Sequence, residues 1–332
     1  MKTLFNLFIL ITATLPIFAQ KSNKNDYPQK KFFGCIYTGA FYDVNHIIKP
    51  YTGFDLSTAL FGYYSDISPR VKVKLIYDVT RTTNNIRVYD TQNRPLNVLY
   101  FEGSRYTAFL KQAEIDWKFA NNYELDAGQI LNQQYLTVQD KFWGYRFVAV
   151  TMQEMYRMGA PADFGIRLSR YFNKKHSISI GAINGDGPFR IQDKNSSVQF
   201  FMNAEYKPSN FIIKWFADYL TIQRAIHNSF FTGYKKNRNR IGLEYSRIDT
   251  VSFSNYYSEA VSIFGSYAIK KSIDIFIRDD FLNKLPKYGI TNEHKFYVGV
   301  NYHEATFNTS LNFRFFTKDK SSIIYWQFGV MF

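Results

Sequence analysis

Cysteine is nearly absent: Cys35 stands alone among 332 residues, so no disulfide forms within the chain. It lies in an apolar alternating stretch, the setting of a small packing residue rather than a reactive thiol. Histidine is sparse too. His46, His176, His227, His294 and His303 fall in different segments, and no two have metal-ligand spacing, which argues against a metal site. No G-x-S-x-G nucleophile motif occurs. The "GDG" at 185–187 leaves a strand pattern for a loop with no helix behind it, so it reads as a turn and not as a phosphate cradle. Beyond the first twenty residues, no stretch approaches the ~18–20 uninterrupted apolar residues of a membrane-spanning helix. No linker or low-complexity segment follows the polar lead at 21–31, so the chain reads as one domain. Acidic residues are in deficit: 41 Lys and Arg against 27 Asp and Glu give a formal charge of +14.

Aromatic residues, by contrast, make up 19% of the chain, nearly all of them Tyr (26) and Phe (33). The opening "MKTLFNLFILITATLPIFAQ" has Lys2, an apolar run from Leu4 to Phe18 and the small Ala19. That is the form of a secretory signal peptide at 1–19, leaving a short periplasmic segment at 20–31 and a single domain at 32–332. No cysteine near the cleavage site offers a lipoprotein anchor. Export removes nucleic acid as the partner of the basic charge and leaves anionic lipopolysaccharide or an anion-attracting pore.

Along the mature chain, short runs alternate apolar and polar residues, as in "RVKVKLIYDV", "AEIDWKF", "SISIGAI" and "FIIKWFADY". Period two is a strand signal. In an outer-membrane barrel the lipid-facing and lumen-facing residues alternate and cancel in any hydropathy window, which accounts for the slightly negative mean hydropathy. About sixteen such runs can be placed, or fourteen if 223–247 is one strand. Short turns ("NN" at 121–122, "NKK" at 173–175, "KPS" at 207–209) alternate with longer connections such as 80–107 and 130–161. The expected fold is therefore all-β: a transmembrane antiparallel barrel in a bacterial outer membrane. The final "SSIIYWQFGVMF" fits it, with Ile324, Trp326, Phe328, Val330 and Phe332 on one face, a sticky edge in water but a natural last strand against lipid.

Residues 130–161 break the pattern. Val148, Met152, Met155 and Met158 take helical spacing, flanked by Thr151, Glu154 and Arg157, before "GAPAD" stops the helix and alternation resumes at Phe164. A loop of that length in a compact domain is usually functional. Phe142, Trp143, Tyr145, Phe147 and the methionines need a surface to bury against, and inward aromatics such as Phe201, Phe216 and Phe276 would supply one. The expected arrangement sets the Met face on the wall, with Glu154 and Arg157 toward the pore axis and Arg146 as a further charge there.

The order of a strand ending Gly-Gln, a long loop with a short helix, "DFGIRLS", a tight turn and "ISIGAINGDG" resembles the phosphate-selective porin O and P family, most closely over 125–187. The resemblance implies that this third outer loop folds into the lumen and narrows the pore. It also implies a homotrimer, and a terminal aromatic signal (Trp326, Phe328, Phe332) read by the barrel-insertion machinery. The chain departs from the family at the constriction. Where phosphate-binding members carry a dense ladder of cations, this loop offers Lys141, Arg146 and Arg157 against Asp140 and Glu154, so phosphate selectivity does not carry over.

Alternation places Arg70, Lys72 and Lys74 on one inward face, Glu114, Asp116 and Lys118 on the next, and Arg167, Lys214, Arg240, Arg278 and Arg314 further round. These charges either pair across strands and stabilise the wall or line a pore and bias ion entry. The sequence reading is a passive channel for small hydrophilic solutes with mild anion preference, surrounded by lipid and lipopolysaccharide, without catalysis, metal or cofactor. Its rivals are a closed barrel serving as scaffold or secretion component, and an outer-membrane hydrolase.

Overall fold

Alternation becomes a wall. In a computed structural model, which describes residues 27–44, 51–89, 95–188, 197–250, 256–285, 291–318 and 320–332, sixteen antiparallel strands close into a barrel. The first half comprises β1 (Gln29–Asp43), β2 (Tyr51–Ser68), β3 (Val71–Tyr89), β4 (Pro95–Ala120), β5 (Tyr123–Leu131), β6 (Ala162–Tyr171), β7 (His176–Ile183) and β8 (Gln199–Tyr206). The second comprises β9 (Phe211–Leu220), β10 (Ala225–Lys236), β11 (Asn239–Thr250), β12 (Tyr256–Lys270), β13 (Ile273–Leu285), β14 (Thr291–Glu304), β15 (Phe307–Phe316) and β16 (Ser321–Met331). Each strand pairs with its sequence neighbours, and β16 pairs with β1 from Cys35↔Met331 to Asp43↔Ile323. Phe332 and Gly34 exchange two backbone hydrogen bonds at the seam, 2.7 and 3.0 Å. The expected signal peptide lies outside the described residues.

The outward positions are bare: Phe61 is 53% exposed and Trp326 55%, while the intervening Gln327 is 3% exposed. Such a surface suits hydrocarbon, where every backbone polar group must find a partner within the protein. Between β3 and β4 that requirement is met by a side chain. Lys111 is left over where the register slips at Ile76/Tyr77, and the Gln129 amide donates to the Leu110 carbonyl (2.5 Å) beside this bulge.

The segment 223–247 is two strands, β10 and β11, so the count is sixteen rather than fourteen. The connection expected at 80–107 is mostly sheet, because β3 and β4 continue pairing from Thr80↔Thr107 to Tyr89↔Pro95. The helix expected around 148–158 is instead two short ones, α1 (Gln139–Trp143) and α2 (Met152–Met155). Gly144 at φ 69° ends α1, and the Val148 and Val150 carbonyls that a longer helix would use accept from wall arginines.

Candidate pore constriction

Residues 132–161, between β5 and β6, fold into the lumen and lean on one half of the barrel. Their apolar side chains form a sealed cluster in which Trp143, Tyr145, Phe142, Phe147 and Val148 pack against Phe231, Phe264, Phe276 and Tyr297 from β10, β12, β13 and β14. Trp143 meets Phe276 edge-on at 5.9 Å between centroids. Met152 and Met158 bury against Ala260 and Leu282, so the methionine face lies on the wall. Phe201 and Phe216 do not receive the loop aromatics; they pack with Ile130 and Ile183 at its base.

Wall side chains then hold the loop by its backbone. Arg240 donates to the Phe142 carbonyl (3.0 Å), Arg314 to Val148 (2.7 Å), Arg278 to Val150 (2.7 Å) and Gln327 to Phe147 (2.8 Å). The buried Lys214 ammonium reaches the carbonyls of Gln133 and Gln134 and the side-chain oxygen of Gln139. Gln153, on α2, donates to Ser229 and Glu244 (2.7 and 2.5 Å). Buried carbonyls without partners would cost about 1–3 kcal/mol each, so these donors fix where the loop can sit.

The loop edge away from this sealed half is charged. Arg146 spans Asp140 (2.8 Å) and Glu154 (2.7 Å, two-pronged). Burial opposes its charge, but the two carboxylates more than offset that and hold the guanidinium well above its ordinary range. Lys141 and Arg157 are exposed and stand apart from this trio, Arg157 with φ 54° just past α2.

On the facing wall, Lys74 lies between Asp116 (2.6 Å) and Glu114 (3.2 Å), and Arg167 between Asp126 (2.6 Å) and Glu114 (3.3 Å). Oxygens of Glu114, Asp116 and Asp126 lie within 4.8 Å of one another, a grouping able to hold a cation, but Lys74 and Arg167 already supply its counter-charge. Lys72 pairs with Asp66 at 3.4 Å, and Arg70 lies exposed in the β2–β3 turn, not on the strand. Arg278, 1% exposed, forks onto Asp280, and Arg314 lies 3.7 Å from the centre of the Tyr325 ring. These two arginines thus anchor the loop rather than stand free in the passage. Trp326, Phe328 and Phe332 share the outward face of the closing strand.

One constellation escaped the sequence reading. Asp218, His227 and Ser246, on β9, β10 and β11, form a chain: Asp218 Oδ2 to His227 Nδ1 at 3.0 Å and His227 Nε2 to Ser246 Oγ at 2.6 Å. Its residues are far apart in sequence, and only the strand register joins them. The order is that of a hydrolytic triad. Yet Ser246 is 0% exposed and sits in mid-strand between Ser229 and Ala260, with no opening for a substrate carbonyl. The chain is a polar brace across three strands.

The class is one of fold: a closed sixteen-stranded antiparallel barrel with an inward loop, the architecture of bacterial outer-membrane porins. No family model matches the sequence, and no curated protein does. Solved structures do match. OmpF of Salmonella typhi, in complex with daunomycin, aligns at TM-score 0.64 and 11% identity, covering 92% of this chain and 98% of its own. An anion-selective porin from Comamonas acidovorans aligns at 0.63 and 10%, covering 92% and 100%. The trimer form of OmpT, an outer membrane protein of Vibrio cholerae, aligns at 0.60 and 10%, with the same coverage. At these identities the likeness is one of fold.

Proposed function

We propose that the protein is a passive channel for small hydrophilic solutes and not an enzyme. The observation that carries the reading is the loop bound to one half of the lumen: it narrows the bore while leaving the β1–β3 side lined by half-buried residues. The inward loop supports the resemblance to the phosphate-selective porin O and P type. The loop edge, with one arginine between two carboxylates, supports a general passage over a phosphate filter. Preference between ions is then weak. Lys74, Arg167 and Arg278 are matched by carboxylates, and mild anion preference would arise from the chain's formal excess of basic residues, fading as salt shortens the screening length. A homotrimer is part of the proposal, supported by the trimer form of the Vibrio cholerae protein whose fold this chain shares.

The test is planar-bilayer conductance of the purified barrel, with and without Phe142–Arg157. The deletion should raise conductance and admit larger sugars while the barrel stays inserted. An inserted barrel that passes no current in either form would instead favour the scaffold reading.

A further inference from the structure

The half of the lumen that the loop leaves open is paved with aromatic rings. Phe33, Tyr37 and Phe41 recur at every fourth residue on the inward face of β1, about 13 Å apart at ~3.3 Å per residue. Phe33 stacks on Tyr64 of β2 with centroids 4.7 Å apart, Tyr37 meets Phe147 of the loop at 6.1 Å, and Phe41 meets Tyr325 of β16 at 5.4 Å. Except for Phe147, these rings are only half-buried, whereas Phe231, Phe264, Phe276 and Tyr297 across the barrel are sealed under the loop.

Glycines make room for two of them. A β-carbon at Gly62 would overlap the Phe33 ring, and one at Gly53 would stand 3.0 Å from the ring of Phe41. With no side chain beneath, the rings of Phe33 and Phe41 lie over these two glycines and keep part of their apolar surface open to the lumen. Next to Phe147, which Tyr37 touches, runs the charged edge of the loop, where Arg146 bridges Asp140 and Glu154.

Aromatic faces carry negative quadrupole density and attract weakly positive C–H groups. Asp140, Glu154 and Arg146 offer acceptors and donors with no large excess of either sign. A solute matching both has apolar ring faces and a polar rim and no net charge, which describes a pyranose. Rings at three levels along one strand suit a chain of such units more than a single one. We infer that the open half of the lumen is a sliding site for neutral sugars, linear oligosaccharides above all; this rests on the channel reading given above.

The experiment is single-channel current in concentrated KCl with maltohexaose added, against a polyethylene glycol of matched size that lacks ring faces. Maltohexaose should interrupt the current at concentrations about tenfold lower than the polyethylene glycol, the difference that ring stacking of about 1.4 kcal/mol makes. Tyr37→Ser and Phe41→Ala should each weaken the sugar block by about tenfold and leave the polyethylene glycol block unchanged. Equal block by both polymers, or sugar block indifferent to these substitutions, would overturn the inference while leaving a conducting pore. No current at all from the inserted wild-type barrel would instead sink the channel reading. Should Phe41→Ala fail to insert, judged by loss of heat-modifiable gel mobility, Tyr64→Ser tests the same column from the neighbouring strand.

Discussion

Lys214 offers the cleanest way to loosen the loop without touching the passage. Its ammonium is almost wholly buried at the base of the loop and has three acceptors: the carbonyls of Gln133 and Gln134 and the amide oxygen of Gln139. Lys214→Met keeps most of the volume and removes all three bonds; the Gln133 and Gln134 carbonyls keep second donors in the Thr137 hydroxyl and the Gln139 amide, so the group left without a partner is the Gln139 side-chain oxygen. At about 1–3 kcal/mol for that one orphaned group, partly offset by the burial cost of the lost charge, loop docking should weaken by about 1.4 kcal/mol. That is roughly a tenfold change in the ratio of displaced to docked loop. Rare excursions to a higher conductance should therefore become frequent in single-channel records, with the barrel still migrating as a folded band before heating. An unchanged record from a correctly inserted variant would mean that the aromatic cluster alone holds the loop, and that the wall donors merely satisfy carbonyls already fixed in place.

Three further outcomes are expected. Deleting Phe332 removes the ring lying over Gly34 and both hydrogen bonds at the seam, so the inserted fraction should fall while export is intact, which fractionation with heat-modifiable mobility will report. Asp163 accepts from the backbone N–H groups of Phe164, Gly185 and Gly187 at 2.7, 2.7 and 3.0 Å; Asp163→Ala should cost about 3 kcal/mol in denaturant unfolding, and Asp163→Asn less. Replacing Arg70, Lys72 and Lys74 together with Gln leaves Glu114 and Asp116 facing Arg167 alone, so reversal potentials in a salt gradient should move toward cations.

The strands could be read because lipid and lumen impose opposite demands on successive residues, and "SISIGAI" or "FIIKWFADY" records that demand directly. Pairing beyond the wall carries no such record, and β3 and β4 continue through a polar stretch that reads as loop. The loop declared its need for burial through Trp143, Phe147 and its methionines, but not which half of the lumen would receive it. Of the three wall aromatics expected there, only Phe276 is in place. Arg278 and Arg314 were legible as inward cations. Their partners were not, because a backbone carbonyl has no letter in the sequence. The Asp218–His227–Ser246 chain was hidden for a related reason: alternation gives the face of a residue, whereas its neighbour across the sheet depends on register.

The seam between β1 and β16 has a kinetic consequence. Every other pairing in the wall joins strands adjacent in sequence, while this one joins Cys35 to Met331. Bringing such distant ends together costs about 2 kcal/mol more entropy than closing a hairpin of some twenty residues, and non-local contacts form slowly. The wall should therefore assemble hairpin by hairpin as an open curved sheet and zip shut last. Until then β1 and β16 are two bare ladders, each the right shape to pair with a strand of another chain. The interval before closure is when this protein is most exposed to mispairing with its own copies and most in need of something to shield those edges.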